Sequence, residues 1–174
     1  MQATLFADDA CFSMGHECIE TLEKQVNNEL EEVSFWFQAN KLALNVGKTN
    51  FILIKVQLKL NGAVLEQKED IKYLGVTIDH KLNWKAHIKN CTNNLSKCLW
   101  AITKLRRFAN TPILKLVYYA VAYPCLQYCI SSWGGACKTK LKPLLVKQKL
   151  IIKTILHEKY TSPSSPLFHK LTIL

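Results

Sequence analysis

Asp8 and Asp9 are adjacent carboxylates close to the start of the sequence. The β-prone run Thr4–Phe6 leads into them, and Cys11 and Phe12 resume the pattern afterwards, which predicts a hairpin with both acids at its tip. Carboxylate oxygens are the ligands that Mg²⁺ prefers in proteins, so this tip is a candidate metal site. The alternative is a hydrated polar turn that holds no ion.

Short strands and one long helix surround this tip in the first half of the sequence. Apolar residues recur every three or four positions over Glu17–Ala39, which predicts an amphipathic helix that ends at Asn40 and Lys41. Asn61-Gly62 is a hairpin-turn signal, and Gly75 interrupts a strand where a missing side chain allows close backbone approach. The predicted strands are Leu42–Val46, Phe51–Val56, Leu58–Leu60, Val64–Glu66 and Ile71–Ile78.

Helices dominate from residue 80 onward. Asn83 is a predicted N-cap for a helix whose apolar stripe covers Ile88–Leu105. Thr111-Pro112 predicts the start of a second helix, which must bend or stop near Pro124. A third amphipathic helix is predicted over about Lys140–His157. Its predicted inward residues are Leu141, Leu144, Leu145, Gln148, Ile151, Ile152 and Ile155.

These elements predict an α+β fold in three segments. Residues 1–79 are expected to form a small antiparallel sheet with one long amphipathic helix, and residues 80–160 an all-helical basic module. Residues 161–174 begin with a Ser- and Pro-rich stretch that ends at Pro166, so we expect a linker followed by a truncated element.

The net charge of +10 is distributed unequally along the chain. Residues 1–80 hold seven lysines against twelve acids, a net charge of −5, whereas residues 81–174 hold sixteen Lys or Arg against the single acid Glu158, a net charge of +15. A strongly basic half attracts polyanions and releases their counterions, which favours nucleic-acid binding. The alternative is a merely solvated helical surface. The candidate contacts are Lys85, Lys89, Lys97, Lys104, Arg106 and Arg107.

Cysteine usage and hydropathy indicate where the protein acts. Seven cysteines, an odd number without a Cys-x-x-Cys pair, predict the reducing interior of the cell, in the cytoplasm or nucleus. The first residues do not resemble a secretory leader. The longest apolar run, Leu116–Trp133, contains Pro124 and several polar residues, so we expect no membrane span.

The tetrapeptide Phe6-Ala7-Asp8-Asp9 resembles the aromatic-Ala-Asp-Asp hairpin of reverse transcriptases. Later segments, in the matching order, resemble the non-LTR retrotransposon branch of that family. The resemblance covers essentially the whole chain and implies the C-terminal part of a palm, then a thumb and the start of a connecting region. The later segments are Trp36, Asn40–Asn45, Lys48-Thr49, Tyr73–Val76, Leu82–Ile88, Tyr118–Ala120, Tyr123-Pro124, Leu126, Tyr128, Ser132–Gly134 and Gln148–Ile155.

This resemblance implies roles for particular residues. Asp8 and, more weakly, Asp9 would be catalytic carboxylates that hold Mg²⁺ for nucleotidyl transfer, in which two divalent ions serve the primer hydroxyl and the triphosphate. Lys48 would lie in the motif whose lysine protonates the leaving pyrophosphate. The segment Tyr73–Gly75 would be the primer grip, with Tyr73, Leu74 and Gly75 close to the primer terminus.

A third aspartate is expected to be missing. In the family it lies on a strand many tens of residues before the hairpin, whereas only seven residues precede Asp8 here. Asp70 or Asp79 would have to cross from the far end of the sheet to replace it. Because Mg²⁺ usually needs several carboxylates and substrate phosphates, we expect weak or no Mg²⁺ binding and no polymerase activity from this chain alone.

Two weaker signals have simpler alternatives. His87 and Cys91 lie one helical turn apart with His80 nearby, but the paired spacings of zinc sites are missing, so we expect core cysteines and a surface histidine. Four aromatic residues at helical spacing could stack on bases, although such spacing favours a core role. These aromatic residues are Trp84, Tyr118, Tyr119 and Trp133.

The predicted function is therefore that of a fragment of a retrotransposon RNA-directed DNA polymerase that retains binding of an RNA/DNA primer–template. The alternative is a non-catalytic interaction module that pairs with a complete polymerase or another protein. Such pairing would cover a sheet edge and an apolar face that the missing palm strands leave open. A transposon remnant without a function is the third alternative.

Overall fold

Two units, Met1–Ile71 and Lys72–Leu174, make up the chain. The computed structural model describes residues 1–52 and 58–173, so most of the strand predicted over residues 51–56 lies outside the described residues. The strands are β1 (Gln2–Phe6), β2 (Asp9–Ser13), β3 (Asn50–Phe51), β4 (Lys59–Leu60), β5 (Ala63–Val64), β6 (Glu66–Gln67), β7 (Asp70–Tyr73) and β8 (Val76–Asp79). The helices are α1 (Ile19–Ala39), α2 (Lys85–Leu105), α3 (Thr111–Val117), α4 (Tyr123–Gln127), α5 (Ile130–Trp133), α6 (Lys138–Ile155) and α7 (Ser165–Lys170).

The first hairpin has the predicted form. Strands β1 and β2 are antiparallel, and Phe6 lies opposite Asp9, so Ala7 and Asp8 form a two-residue turn. Ala7 adopts a positive φ of 51°, which tight hairpin turns require. The turn presents its polar residues to solvent, and the side chains of Leu5 and Phe6 are exposed as well.

Helix α1 is the predicted amphipathic helix and carries the core of the first unit. Its Leu30 packs against three leucines from the segment that follows, Leu58, Leu60 and Leu65. Polar contacts fix this packing, because the backbone N–H of Lys59 donates to Asn27 Oδ1 at 2.8 Å. The turn between β4 and β5 is the predicted Asn61-Gly62 turn, with φ values of 52° and 76°.

The described part of residues 1–79 does not form the expected single antiparallel sheet. The described strands form four separate two-stranded pairs, of which β3 and β6 are parallel. The strand predicted over Leu42–Val46 is wrong. Lys41 has a positive φ of 57°, which reverses the chain after α1, and Asn45 then caps a 3₁₀ turn over Val46–Lys48 through its side chain.

Helices α2 and α6 form the centre of the second unit. Their facing side chains are fully buried, among them Leu95 and Ile102 of α2 and Ile151 and Ile155 of α6. Complete burial of such a side chain contributes about 1.5–3 kcal/mol. The predicted helix over residues 140–157 is confirmed with shifted ends, although Leu145, predicted to face inward, is 47% exposed.

The predicted break near Pro124 is confirmed. Helix α3 begins after Asn110, whose side chain accepts a hydrogen bond from the N–H of Ile113 at 3.3 Å, so Asn110 rather than Thr111 is the cap. A π-helical turn over Tyr118–Ala122 separates α3 from α4, in which Pro124 occupies the first turn. Proline lacks the backbone N–H that would continue the regular α-helical hydrogen bonds, which explains the change of helix type at this point.

The C-terminal segment belongs to the core of the second unit. Helix α7 lies where a linker and a truncated element were expected. Leu167, Leu171 and Ile173 are all buried against the α2–α6 core. The backbone N–H of Ile173 donates to the carbonyl of Phe168 at 3.0 Å, which closes the end of this segment.

The core role predicted for the aromatic residues is confirmed. Tyr118 and Trp133 are almost completely buried, and Trp84 and Tyr119 pack against the same cluster. Gln148 donates to the hydroxyl of Tyr118 at 3.0 Å, which satisfies a polar group inside the core.

We expect Leu95→Ala to destabilise the second unit by about 2–5 kcal/mol, because the truncation leaves a cavity in a fully buried site. Urea unfolding followed by helical circular dichroism measures this change. Leu145→Ala removes the same atoms from an exposed position and should cost less than about 0.5 kcal/mol. Equal losses in the two variants would contradict the assigned core.

Candidate nucleic-acid interface

The carboxylates of Asp8 and Asp9 are both exposed at the tip of the first hairpin. Among the described residues no group of three or more His, Cys, Asp or Glu side chains lies close enough to share a metal ion. Two solvated carboxylates do not form the cage of oxygen ligands that Mg²⁺ needs. The described residues therefore do not fit a two-ion centre by themselves.

Lys48 lies in the predicted turn, at the end of the 3₁₀ segment, and its side chain is exposed. Its backbone N–H donates to Asn45 Oδ1 at 3.2 Å, and its carbonyl accepts a hydrogen bond from Asn50. The fold thus fixes the backbone of Lys48 and leaves the ammonium group in solvent.

The segment Tyr73–Gly75 forms a tight turn between β7 and β8 rather than the predicted interrupted strand. Leu74 and Gly75 have positive φ values of 44° and 83°, as a two-residue hairpin turn requires. The hydroxyl of Tyr128 donates to the carbonyl of Leu74 at 2.5 Å, and a Cβ atom added at Gly75 would lie 3.4 Å from the Tyr128 ring. The positive φ angle therefore favours glycine at this position, and an added Cβ atom would be in ordinary van der Waals contact with Tyr128.

The β7–β8 hairpin is hydrogen-bonded to the first turns of α2. The backbone N–H of Thr77 donates to Nδ1 of His87 at 3.3 Å, and Asn90 donates to the hydroxyl of Thr77 at 3.2 Å. His87 is 5% exposed, so the histidine expected at the surface is buried. Burial lowers the pKa of His87 because it disfavours the charged imidazolium.

Asp79 holds the loop that leads from β8 into α2. Its carboxylate accepts hydrogen bonds from the backbone N–H groups of Lys81, Asn83 and Trp84 at 3.1, 2.9 and 2.7 Å. Burial alone would raise the pKa of Asp79, but these three N–H groups hold it below the usual range. Asn83 is not the predicted N-cap, because its side chain instead accepts from the ammonium group of Lys140 at 2.8 Å.

Four of the six basic residues predicted to contact nucleic acid lie on one side of α2. With 3.6 residues per turn, their positions fall within an arc of about 120° that faces away from Leu95 and Ile102. Their side chains are exposed. We call this surface the basic stripe, and its members are Lys85, Lys89, Lys97 and Lys104. Arg107 is also exposed, but it lies beyond the end of α2.

Arg106 does not belong to the basic stripe. It follows the last residue of α2 and lies on a different side of the helix. Its guanidinium group donates to Nδ1 of His157 at 3.1 Å, beyond the end of α6. The contact ties together the ends of two core helices, which the sequence did not indicate.

Trp100 was missed by the sequence reasoning. It is 66% exposed and lies at the middle of the basic stripe, three residues after Lys97 and four before Lys104. The Lys104 ammonium group lies 5.8 Å from the centroid of the Trp100 ring. The helical spacing from both lysines was a signal in the sequence that could have identified Trp100.

A polar pocket of about 440 Å³ lies beside the basic stripe in the second unit. The β7–β8 hairpin contributes Gly75 and Thr77, and α2 contributes three asparagines. Its lining residues are Lys72, Gly75, Thr77, His87, Asn90, Cys91, Asn93, Asn94, Lys97, Cys125 and Tyr128. The candidate primer-grip turn and the basic stripe therefore border the same pocket.

Comparison with curated proteins gives a consistent set of relatives. The chain is 25% identical over 160 residues to the RNA-directed DNA polymerase from mobile element jockey of Drosophila funebris, covering 86% of this chain and 17% of that protein. It is 23% identical over 180 residues to the probable RNA-directed DNA polymerase from transposon BS of Drosophila melanogaster, covering 97% of this chain and 20% of that protein. The chain's curated relatives are RNA-directed DNA polymerases of non-LTR retrotransposons.

This relationship confirms the resemblance found in the sequence. A third relative, the Pol polyprotein from type-1 retrotransposable element R1 of Bradysia coprophila, is 22% identical and covers 84% of this chain and 16% of that protein. The chain spans about a fifth or less of the length of these polymerases. No protein-family model and no solved structure matches the chain. Among the described residues, no helix has the length and apolar character needed to cross a bilayer.

We expect the thermal stability of the second unit to fall as the pH decreases below about 6.5, the ordinary pKa of histidine. The unfolded chain then binds a proton at His87 that the buried ring resists, so unfolding becomes more favourable. Melting temperatures measured between about pH 7.5 and 5.5 test this expectation. His87→Gln should weaken this dependence, and an unchanged pH profile in the variant would contradict the assigned role.

Proposed function

We propose that this chain is a fragment of a non-LTR retrotransposon RNA-directed DNA polymerase and that its second unit binds an RNA/DNA primer–template. The relatives support the first part, because all of those compared are such polymerases and the chain matches a limited part of each. The basic stripe is the observation that carries the second part. We expect no polymerase activity from the 174-residue chain by itself.

Electrostatics support binding of a nucleic-acid backbone at α2. The exposed lysines of the basic stripe are four, eight and seven residues apart, which keeps them on one side of the helix, and this side can face a row of phosphates. A lysine can pack its methylene chain against the helix and still keep its ammonium group in solvent. The ammonium group then exchanges counterions readily. The stripe provides affinity for the backbone and no direct recognition of base sequence.

The turn at Leu74 and Gly75 is the proposed contact with the primer terminus. Gly75 is exposed and lines the polar pocket, and Tyr128 holds the turn through its hydrogen bond to Leu74. The pocket also contains Asn90, Asn93 and Lys97, whose side chains can donate hydrogen bonds to sugar and phosphate oxygens. In a longer polymerase Asp8, Asp9 and Lys48 would serve catalysis with Mg²⁺, supplemented by carboxylates from other segments.

A second candidate function is supported by the exposed apolar residues of the first unit. Leu5 and Phe6 are 64% and 62% exposed on a hairpin whose outer edges have no described partner strand. Phe35 and Trp36 on α1 are also exposed. Such surfaces favour pairing with another protein, and a complete polymerase is the partner that the family relationship suggests.

We expect the combined variant Lys89→Gln, Lys97→Gln and Lys104→Gln to weaken binding of a labelled RNA–DNA hybrid. A plot of the logarithm of the association constant against the logarithm of the salt concentration has a negative slope. This slope should become shallower by about 0.9 for each phosphate that the variant no longer neutralises. Fluorescence anisotropy across a salt series measures both quantities.

The matched control removes the same charge from the first unit through Lys24→Gln, Lys41→Gln and Lys59→Gln. This control should retain the affinity and slope of the unmodified chain. Equal effects in the two triple variants would show that net charge alone is responsible. Absence of binding by the unmodified chain would refute the proposal.

We expect Trp100→Ala to weaken binding of a hybrid with a single-stranded overhang by about 1–3 kcal/mol, because an exposed indole can stack on one base. The salt slope should stay unchanged, since no charge is removed. Phe108→Ala removes another exposed aromatic side chain, which lies beyond the end of α2, and should leave affinity unchanged. Similar losses in both variants would argue against a specific stacking site.

A further inference from the structure

Cys91 of α2 and Cys125 of α4 face each other in the second unit. The Cys91 thiol lies 3.8 Å from the carbonyl oxygen of Cys125, and the Cys125 thiol lies 3.9 Å from the carbonyl oxygen of Cys91. Each sulfur atom therefore lies against the backbone of the helix that carries the other cysteine.

Cys91 and Cys125 border the same cavity. Both residues line the polar pocket of about 440 Å³, which also contains Lys72 and Lys97. Cys91 is buried, whereas Cys125 is partly exposed, and Cys98, the next cysteine on α2, is buried and does not line the pocket. Cys125 is therefore the member of the pair that a small polar reagent in the pocket can reach.

The surroundings shift the pKa values of the two thiols in opposite directions. The neighbouring Cys91 side chain lowers the pKa of Cys125 to about 7, with a further contribution from the Asn94 side chain and against the effect of burial. The neighbouring Cys125 side chain, together with burial, raises the pKa of Cys91. Cys125 therefore forms a thiolate more readily than Cys91 and is the nucleophile of the pair.

His87 lies next to this pair. Its Nδ1 accepts the N–H of Thr77, so in the neutral ring Nε2 carries the proton and points to the Cys91 sulfur at 3.5 Å. Lys72 and Lys97 line the same pocket.

We propose that Cys91 and Cys125 form a peroxide-responsive thiol pair that closes to a disulfide between α2 and α4. The Cys125 thiolate attacks one oxygen of hydrogen peroxide, the O–O bond breaks, and hydroxide leaves, which yields a sulfenic acid on Cys125. Cys91 then attacks the Cys125 sulfur as it loses its proton, the S–O bond breaks, and water leaves. In total, two thiols are oxidised to one disulfide while one peroxide is reduced to two waters.

Closure of this bond would link the second turn of α2 to α4, which ends directly before Tyr128. Tyr128 contacts Leu74 and Gly75, so the disulfide would form at the wall of the pocket that borders this turn. The oxidised second unit should therefore melt at a higher temperature than the reduced unit, because the cross-link restricts the unfolded chain.

The test treats the reduced full chain with one molar equivalent of hydrogen peroxide and maps its tryptic peptides without reduction. Cys91 lies alone in the peptide of residues 90–97, Cys98 lies in residues 98–104, and Cys125 lies in residues 116–138. The double variant Cys129→Ser and Cys137→Ser makes Cys125 the one cysteine of the last peptide. We expect a linked pair of residues 90–97 and 116–138, lighter by two hydrogen atoms and separated by a phosphine reductant.

Three further variants in the same background identify the chemistry. Cys98→Ser should retain the cross-link, Cys125→Ser should abolish it, and Cys91→Ser should accumulate a sulfenic acid at Cys125 that dimedone traps. A cross-link that involves the peptide of residues 98–104 would overturn the proposal. The proposal would also fail if Cys91 and Cys125 stayed reduced at a peroxide dose that oxidises the exposed Cys18. The peptide map of the background protein decides the question even if a serine variant fails to fold.

Discussion

The apolar contact between α2 and α6 is the interaction on which the second unit depends. Leu95, Ile102, Ile151 and Ile155 are fully buried, and the C-terminal segment closes over the same core. Because an α-helix repeats every 3.6 residues, burying this side of α2 leaves its opposite side in solvent. The alignment of the exposed cations on α2 is therefore a direct consequence of core packing.

A small set of polar contacts then places the β7–β8 hairpin beside the basic stripe. Thr77 donates to the buried His87, Asn90 donates to Thr77, and Asp79 caps the loop into α2. Tyr128 supports the turn at Gly75 from the other direction. Each contact satisfies a polar group close to the core, and together they give the polar pocket a defined wall.

The sequence predicted the elements that follow from hydrophobic periodicity and turn chemistry. The first hairpin, α1, the Asn61-Gly62 turn and the three main helical regions of the basic half all have strong local signals. The single strand predicted over Ile71–Ile78 was wrong, because an isolated glycine in an apolar run indicates a bulge and a hairpin turn equally well. In the structure Tyr128, far along the chain, donates to Leu74 and supports the hairpin turn.

Tertiary contacts explain most of the remaining differences. Asn83 has the chemistry of an N-cap, but Lys140 uses its side chain and Asp79 holds the backbone instead. Arg106 looked equivalent to Arg107 in sequence, yet both lie beyond the end of α2 and His157 accepts a hydrogen bond from Arg106. The four lysines of the basic stripe could be found from helical spacing, whereas the buried state of His87 and the Cys91–Cys125 pair could not.

The most direct test of the account is a footprint of bound RNA–DNA hybrid by lysine acetylation and mass spectrometry. The account predicts that the hybrid protects Lys89, Lys97 and Lys104, which lie on one side of α2. Lys24 and Lys41 in the acidic first unit should acetylate at the same rate with and without the hybrid. Protection spread evenly over the lysines of the chain, or concentrated in the first unit, would contradict the claim that the outward side of α2 is the nucleic-acid interface.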